Sequence, residues 1–404
     1  MEATLPVEQT ILSSSEFQIS LLLFVALAGY LIAYRINQSA VVGIIFAGIL
    51  VGPSVFGLVT YTDFVSSLAH LGAEVLLFTI GLEFELKEII NVKYFFIALV
   101  GVILPWIGGY FLALLFHFNF QTAVFIGTAL TATSIAITAN VLNEMGRLQT
   151  PAAKAIIGAA VIDDVLALLA LSLSEQLTVG TLSLPVILVM AARAIGFLVV
   201  GSLIGKLVLA KVMVKLDRTQ IAKKYPESLF IFAIMVSFLY AMGADLVGLS
   251  AIVGSFLAGV SFSSVKLNKG LIFKEGAEHL RIIFASIFFV SLGVLLDFHA
   301  ITWNLLYFVL ALTVVAGITK IIGCGLPAKL AGMSVKDSLI VGVGMMPRGE
   351  VAMIVALIGL NQNLVAQGIY AALILMSLLT TIIPPLIFRN LLFSVKKPVA
   401  ASPA

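Results

Sequence analysis

The composition of this chain excludes an ordinary soluble domain. Of its 404 residues, 61% are hydrophobic and only 11% are charged, and the mean hydropathy is +1.18. Soluble domains carry about a quarter charged residues. The net charge of +3 is too small to indicate a nucleic-acid partner. With a single cysteine, Cys324, and no histidine pair at metal-ligand spacing, we expect no disulfide, resident metal or cofactor.

Thirteen apolar segments are long enough to predict membrane-spanning helices, which need about 20 residues each. The predicted fold is therefore an all-α polytopic membrane protein in contact with the lipid bilayer. In chain order the segments cover 17–34, 40–59, 65–82, 94–116, 121–143, 152–174, 184–205, 227–243, 246–264, 280–296, 301–322, 338–360 and 368–392.

The basic residues indicate how these segments are oriented. When residues at segment ends are counted with the flanking loops, three of the 23 Lys and Arg residues are left inside segments, namely Arg193, Lys320 and Arg348. If the N-terminus is outside and the segments alternate, all the other basic residues lie in inward loops or flanks. Cytoplasmic loops carry such an excess of Lys and Arg. The pattern predicts thirteen crossings, with the N-terminus outside and the C-terminus in the cytoplasm.

The two halves of the chain resemble each other. The stretch "AVVGIIFAGI" (40–49) matches "AIVGSFLAGV" (251–260), and weaker echoes join 78–84 to 289–298 and 126–130 to 341–345. Matched segments lie seven positions apart in chain order, and because seven is odd the second copy crosses the membrane in the opposite sense. Inverted-topology repeats are typical of secondary transporters, which bind their ions near the midplane between the halves. We assign segments 2–6 to one copy and segments 9–13 to the other.

Charged residues inside segments are candidates for function, because each costs roughly 2.5–3.5 kcal/mol at the bilayer centre on insertion scales. They are Glu74, Asp163, Asp164, Arg193, Lys320, Arg348 and Glu350. The neighbours Asp163 and Asp164 point about 100° apart on a helix, so they need different partners. One is expected to face a cation-binding cavity and the other a basic residue, with Lys320 as the candidate. The alternative is a static buried ion pair plus one spare acid. For Glu74 and Arg193 the sequence alone points to no particular partner.

Two segments carry helix-breaking sequences in their middle. The fifth contains "TALTATSIAIT", with Thr131, Thr133 and Ser134, and its repeat mate, the twelfth, contains "GVGMMPRGE". Unwound backbone at membrane depth is tolerated where it is buried or lines a cavity, and its oxygens are suited to an alkali cation. The alternative is that the hydroxyls only bond back to their own helix. We expect the broken helices to be supported by a set of neighbouring residues: Thr131, Pro347, Arg348 and Glu350. Arg348 and Glu350 would pair with each other or cap helix ends.

Together, "TATS", "GAAVIDDVLAL", "GITKIIG" and "MMPRGEVAMIVALIGL" resemble the sodium/proton exchangers of the cation:proton antiporter-2 branch, whose membrane domains are Kef- and NapA-like. The resemblance implies Asp164 as the principal ion-binding carboxylate and a pairing of Asp163 with Lys320. It places Thr133 and Ser134 near the cation, at the crossing of the broken helices.

The same resemblance implies a homodimer in which a core domain moves like an elevator against a dimer domain. The dimer domain would comprise 1–93 and 226–296, and the core 94–175 and 300–393. A linker helix at 184–210 and a short cytoplasmic tail at 394–404 complete the chain.

Kef-type potassium-efflux relatives often have Gln-Asp in place of Asp163-Asp164, together with a long C-terminal nucleotide-binding domain. This chain has both aspartates and ends soon after its last segment, so we expect no nucleotide-binding regulatory domain. Relatives with two aspartates and the lysine tend to be electrogenic sodium exchangers.

The expected function is secondary active exchange of a monovalent cation, Na⁺ first, for protons that compete at Asp164. The expected location is the plasma (bacterial inner) membrane, with a role in pH homeostasis. The alternatives are a sodium-coupled solute symporter, a K⁺/H⁺ antiporter and a channel. An intramembrane aspartyl protease is disfavoured because adjacent aspartates on one helix point apart, and we expect no enzymatic activity.

Overall fold

The computed structural model describes residues 14–85, 87, 91–179, 183–265, 267, 270–295, 303–362 and 364–393, and every regular element within these ranges is helical. The helices are α1 Ser15–Arg35, α2 Ala40–Val51, α3 Asp63–Gly81, α4 Val92–Leu115, α5 Phe120–Ala129, α6 Ile135–Glu144, α7 Pro151–Val179, α8 Leu184–Ile204, α9 Ala210–Asp217, α10 Gln220–Lys224, α11 Glu227–Leu246, α12 Ala251–Ser263, α13 Gly270–Val294, α14 Trp303–Leu330, α15 Val335–Gly344, α16 Glu350–Asn361 and α17 Gln367–Ile387. Two π-helical turns, Gly205–Leu209 and Phe388–Leu392, extend α8 and α17.

The helices confirm an all-α membrane fold. In the described ranges, nine helices are long and apolar enough to cross a bilayer, and four further apolar helices are shorter. Each of the thirteen predicted segments contains at least one helix. Helices suit this environment because all their backbone hydrogen bonds are made within the segment. The predicted tail at 394–404 lies outside the described residues.

Several predicted boundaries were wrong. The second segment was predicted to reach residue 59, but α2 ends at Val51, where Gly52 and Pro53 follow. Its repeat mate, α12, is also short: the two helices have 12 and 13 residues. The tenth segment was predicted to begin at 280, but α13 already begins at Gly270. Polar residues at 274–281 hid that start from a search for apolar runs.

Side-chain caps begin many of the helices. The Thr62 hydroxyl accepts a hydrogen bond from Val65 N, and the Asn119 carbonyl oxygen accepts one from Thr122 N. Such caps satisfy N–H groups that have no partner in the first turn of a helix. They set the starts of α3 and α5 at polar residues that flank the apolar runs.

The helices pack as two groups. The first helix group comprises α1–α3 and α11–α13, and the second comprises α4–α7 and α14–α17. Within each group neighbouring helices make long contacts, whereas between the groups the contacts are confined mainly to α3 with α6 and α17 with α2. Helix α8 touches α7 of the second group and both α11 and α12 of the first. The first group is therefore joined to the second by few side chains.

Packing in the second half repeats packing in the first. A Cβ at Gly48 in α2 would lie 2.3 Å from Val290 O in α13, and one at Gly259 in α12 would lie 2.2 Å from Phe78 O in α3. Gly48 and Gly259 are matched positions of the sequence repeat, and so are the helices that they approach. Both crossings are so close that a larger residue would force the backbones apart. Small residues at such crossings allow close packing in membranes, which explains why the glycines recur.

Both segments that carry helix-breaking residues are interrupted, as predicted. Helix α5 ends at Ala129 before α6 begins at Ile135, and α15 ends at Gly344 before α16 begins at Glu350. The two interruptions touch, because Ser134 N donates to Pro347 O over 2.8 Å and the Thr138 hydroxyl donates to Gly344 O over 2.6 Å. Each break thus supplies partners for backbone groups that the other break frees.

Candidate ion-binding site

Asp163 and Lys320 form a fully buried ion pair inside the second helix group. Lys320 Nζ on α14 lies 2.8 Å from Asp163 Oδ1 on α7, and the side chains are 0% and 1% exposed. The ammonium also donates to Gly101 O on α4 and to Thr131 O in the α5–α6 break, over 2.8 Å each. All three of its N–H donors are therefore used. One side chain ties α4, α7, α14 and the break together.

Close packing of α4 against α14 makes this arrangement possible. Cys324, one turn after Lys320, is fully buried, and a Cβ at Gly101 would lie only 2.4 Å from its sulfur. The cysteine therefore acts as a packing residue. The glycine keeps α4 close enough for its carbonyl to reach the ammonium.

Arg348 holds the two interruptions together. Its side chain is 0% exposed, and its Nη1 donates to Ala132 O in the α5–α6 break over 2.8 Å. The Thr381 hydroxyl on α17 donates to Arg348 O over 2.8 Å. The guanidinium also interacts electrostatically with Asp163 and Lys320. Arg348 thus adds a second positive charge near the buried pair.

Asp164 points away from this pair, toward the first helix group. Its carboxylate Oδ2 accepts a hydrogen bond from Ser250 N over 3.0 Å. Ser250 is the residue that precedes α12, so the carboxylate lies at the positive end of that helix. Asp164 is half-buried, unlike Asp163. Two adjacent carboxylates therefore have separate environments: one inside the second helix group and one between the groups.

Two cavities meet at Asp164. The smaller one, about 30 Å³, lies between Asp164, Ser250, Gly349 and the two residues Thr133 and Ser134 of the α5–α6 break. This volume accommodates one or two waters or a dehydrated alkali ion. The lining residues include one carboxylate and three hydroxyl side chains among apolar neighbours, and carboxylate and hydroxyl oxygens are hard ligands that suit small cations.

The larger cavity, of about 220 Å³, shares Asp164 and Ser250 with the first. It is also lined by His70, Glu74 and Asp245. These residues lie on the parts of α3 and α11 that the charge pattern assigns to the outer side. The cavity therefore extends from Asp164 toward the helix ends that the charge pattern predicts to be outer.

On the opposite side, a polar cluster joins α6 to the first helix group. Glu144 accepts hydrogen bonds from the Ser39 hydroxyl over 2.7 Å and from Asn140 Nδ2 over 3.0 Å. Arg281 on α13 donates to Asn140 Oδ1 over 2.8 Å and pairs with Glu278. We call Ser39, Asn140, Glu144 and Arg281 the inner cluster. It borders a cavity of about 280 Å³ that shares no lining residue with the cavities at Asp164.

The other predicted site residues have varied positions. The Thr133 hydroxyl donates to Met345 O over 3.2 Å, across the two breaks rather than back along its own helix. The Thr131 hydroxyl donates to Thr128 O of the same segment, and Thr131 O accepts a hydrogen bond from the Lys320 ammonium. Arg193 is exposed on α8, and it forms no ion pair with any residue that the structure describes. The side chain of Glu350 lies outside the described residues, which leaves its predicted pairing with Arg348 untested.

Sequence reasoning missed the backbone partners of the charged side chains. Asp164 accepts a hydrogen bond from Ser250 N. Lys320 donates to Gly101 O, and Arg348 donates to Ala132 O. Backbone groups carry no residue-type signal, so only proximity reveals them. The inner cluster was missed because its members flank apolar segments, where polar residues are ordinary. A glycine within an apolar run, as at Gly101, was the one available hint of a close approach.

The comparisons with known proteins agree with this architecture. The chain is 35% identical to the Na⁺/H⁺-K⁺ antiporter GerN of Bacillus cereus, over 91% of this chain and 94% of that protein. It is 33% identical to a Na⁺/H⁺ antiporter of Enterococcus hirae, over 91% of this chain and 96% of that protein. An electron-microscopy structure of the sodium proton antiporter MjNhaP1 from Methanocaldococcus jannaschii matches with a TM-score of 0.72 at 16% identity, covering 93% of this chain and 96% of that one, which shows a shared fold.

A family model described as "sodium/hydrogen exchanger, transmembrane" matches residues 21–394. This range includes both helix interruptions, both aspartates and Lys320. The chain therefore belongs to the sodium/hydrogen exchanger family.

Proposed function

We propose that this protein is a secondary active antiporter that exchanges Na⁺ for protons and that both compete for Asp164. The observation that carries the proposal is the position of Asp164. Its carboxylate lines a small cavity where two broken helices meet, together with Thr133 and Ser134, and the buried Asp163–Lys320 ion pair lies nearby without lining that cavity. The choice of Na⁺ is supported by the names of the relatives at 33–35% identity.

Charge balance in the site gives a physical reason for competition. Asp163 and Asp164 carry two negative charges, and Lys320 and Arg348 carry two positive charges, so the ionised site is neutral overall. A bound Na⁺ or a proton on Asp164 adds one positive charge. Taking up both would place two excess charges in a region of low dielectric constant, where like charges repel strongly. One ligand therefore displaces the other.

The contact between Asp164 and Ser250 explains how an empty carrier is kept from moving. An ionised Asp164 is attracted to the N-terminal end of α12, which belongs to the first helix group. Na⁺ or a proton neutralises the carboxylate and weakens this attraction. Only the loaded second group is then free to move relative to the first.

Lys320 supplies the second proton that an electrogenic exchange requires. When Na⁺ draws Asp163 toward the cavity, the ammonium loses its only carboxylate partner among the described residues. A buried lysine without a counter-charge favours its neutral form, so it releases a proton. Two protons would then move for each Na⁺, with one net charge transferred per cycle.

The two helix groups supply the moving parts. We assign the second group to a core domain (94–175 and 300–393) and the first to a dimer domain (1–93 and 226–296). Helix α8 is the linker at 184–210. The sparse contacts between the groups support an elevator movement of the core in a homodimer. We place all thirteen segments across a plasma membrane, N-terminus outside, so that the cavity at His70 and Glu74 opens outward.

The test is exchange by purified protein in proteoliposomes. A Na⁺ gradient is imposed, internal pH is read with a trapped dye, and the assay is repeated with K⁺ and Li⁺ and with a clamped membrane potential. The proposal expects Na⁺ to drive proton movement in the opposite direction and the rate to respond to voltage. Sodium flux without opposing proton movement would indicate a symporter, and exchange with K⁺ alone would reassign the cation. No exchange under any gradient would overturn the proposal.

A further inference from the structure

A fourth cavity, separate from those at Asp164, lies beside the linker helix. It has a volume of about 920 Å³ and is lined by the end of α8, its π-helical turn, α9, α12 and residues that follow α3. It shares no lining residue with the cavities at Asp164. The competition between Na⁺ and protons does not use it, so its features call for another explanation.

Lys206 in the π-helical turn at the end of the linker and Lys211 on α9 line this cavity together. In an uninterrupted α-helix, positions five apart point about 140° away from each other. Here the chain forms a π-helical turn in which Ala210 N bonds to Gly205 O, five residues earlier. The wider turn brings the two lysines toward one face. π-helical turns are rare and are frequent at functional sites.

Tight packing fixes the helix at the start of this turn. A Cβ at Gly205 would lie 1.9 Å from the Ser261 hydroxyl oxygen on α12. The Tyr240 hydroxyl on α11 donates to Gly201 O over 2.8 Å. The linker is thus held against the first helix group immediately before the lysines. This rigid attachment defines the cavity wall.

The charges around the cavity are unbalanced. Lys87 has its own counter-charge, because it pairs with Glu85 over 2.6 Å. Lys206 and Lys211 form no ion pair with any described residue. The opposite wall is apolar and includes Leu257 and Val260 of α12. The cavity therefore combines a cationic end with a hydrophobic wall.

The surroundings of the linker favour a lipid over a soluble anion. Only 11% of the most apolar window in Leu184–Asp217 is buried within the protein. Leu203, Leu207 and Val208, next to the cavity, are all about half exposed and would face hydrocarbon in a bilayer. Basic pockets between membrane helices at the cytoplasmic side bind anionic headgroups. We propose that this cavity binds an anionic phospholipid, with the phosphate on Lys206 and Lys211 and an acyl chain along α12.

The proposal is tested on the full chain in detergent by adding lipids and following thermal unfolding and bound lipid by native mass spectrometry. Phosphatidylglycerol should raise the melting temperature and phosphatidylcholine, with the same acyl chains, should not. In Lys206→Gln with Lys211→Gln the apparent affinity for phosphatidylglycerol should fall about 30-fold, since each lysine near an anionic headgroup contributes about fivefold. Lys215→Gln with Lys223→Gln removes the same charge outside the cavity and should keep the wild-type affinity.

The conservative double variant Lys206→Arg with Lys211→Arg keeps both positive charges and should bind phosphatidylglycerol as the wild type does. This variant shows whether the glutamine variant loses binding through lost charge or through misfolding. Glycerol 3-phosphate and inorganic phosphate serve as soluble probes. If they stabilise the protein as well as phosphatidylglycerol does, the site binds a free anion and the lipid assignment fails. Equal effects of the two lipids, or equal losses in both glutamine variants, would also overturn it. None of these readouts depends on transport.

Discussion

The two adjacent aspartates separate a structural region of this protein from a reactive one. Asp163 is 1% exposed and is held by an ammonium whose three donors all have partners. Asp164 is half-buried, lies at two cavities and reaches across to the other helix group. A carboxylate whose partner is a fixed side chain stabilises an arrangement, whereas one that faces a cavity can exchange ligands. The difference arises from one residue step, which turns the side chain by about 100°.

The largest expected effect tests the reactive half of this comparison. Asp164→Asn should reduce Na⁺-driven proton movement to the level of empty vesicles, because a carboxamide neither takes up a proton nor balances a cation. The carboxamide oxygen can still accept from Ser250 N, so the protein should remain folded. Asp245→Asn makes the same change at an exposed position of the outer cavity and should keep exchange. Exchange that persists in Asp164→Asn would show that the competition occurs elsewhere.

A second prediction concerns the charge moved per cycle. Lys320→Gln keeps hydrogen-bond donors but removes the second proton, so exchange should continue while becoming electroneutral. The measurement is transport current on solid-supported membranes, together with the dependence of exchange on clamped voltage. If the current per transported Na⁺ is unchanged, the lysine carries no proton in the cycle.

Thermal stability distinguishes the two aspartates directly. Breaking a buried ion pair by removing one partner costs about 3–5 kcal/mol, so Asp163→Asn should lower the melting temperature strongly. Asp164→Asn, the matched change one position on, should have a much smaller effect. Asp163→Asn combined with Lys320→Gln should cost less than the sum of the single variants, because no unpaired charge remains. Equal destabilisation by the two Asn variants would contradict the division into a structural and a reactive carboxylate.

The inner cluster should bias the molecule toward the outward-open arrangement. Ser39→Ala removes one hydrogen bond between the helix groups, a net loss of about 0.5–1.5 kcal/mol, or roughly a 2–12-fold shift in the equilibrium. The shift in the equilibrium is measured by labelling an introduced cysteine with a thiol reagent. The native Cys324 does not interfere, because it is fully buried. In Ala285→Cys, at the inner cavity, labelling should increase; in Leu171→Cys, at the outer cavity, it should decrease.

A matched control for the inner cluster is Ser67→Ala. Ser67 is exposed, and within the part of the chain that the structure describes its hydroxyl bonds to Asp63 O of its own helix alone. If Ser67→Ala changes the labelling as much as Ser39→Ala does, the contact between the groups has no special role.

The smallest effect is expected at the cavity hydroxyls. Thr133→Val should raise the KM for Na⁺ about 2–12-fold with little change in kcat, since one neutral oxygen ligand contributes about as much as one hydrogen bond. Thr122→Val, which changes a threonine of the same broken helix at its capped end, should leave KM unchanged. A large loss of kcat in Thr133→Val would indicate that the hydroxyl mainly supports the broken helix through Met345.

Much of the site could be anticipated from local sequence. Polar or helix-breaking residues are rare in the middle of apolar segments. Their presence therefore predicted both helix breaks, the first at Thr131 and Thr133 and the second at Pro347 and Gly349. The 100° separation showed that Asp163 and Asp164 diverge, but not which of them faces Lys320; that assignment came from family resemblance. The partners Ser250 N and Gly101 O had no signal at all, because every residue has a backbone N–H and C=O.

By itself the sequence determined that the chain is helical and that it lies in a membrane, and it gave a set of candidate buried charges, of which Asp163, Lys320 and Arg348 are buried. These properties follow from transfer free energies of single side chains, which are readable one segment at a time. Only the tertiary structure decided that Asp163 meets Lys320 and that Asp164 meets the end of α12, since these contacts join residues 157 and 86 positions apart. Their formation depends on how α7 is rotated against α14 and α12, and packing of whole helices sets that rotation.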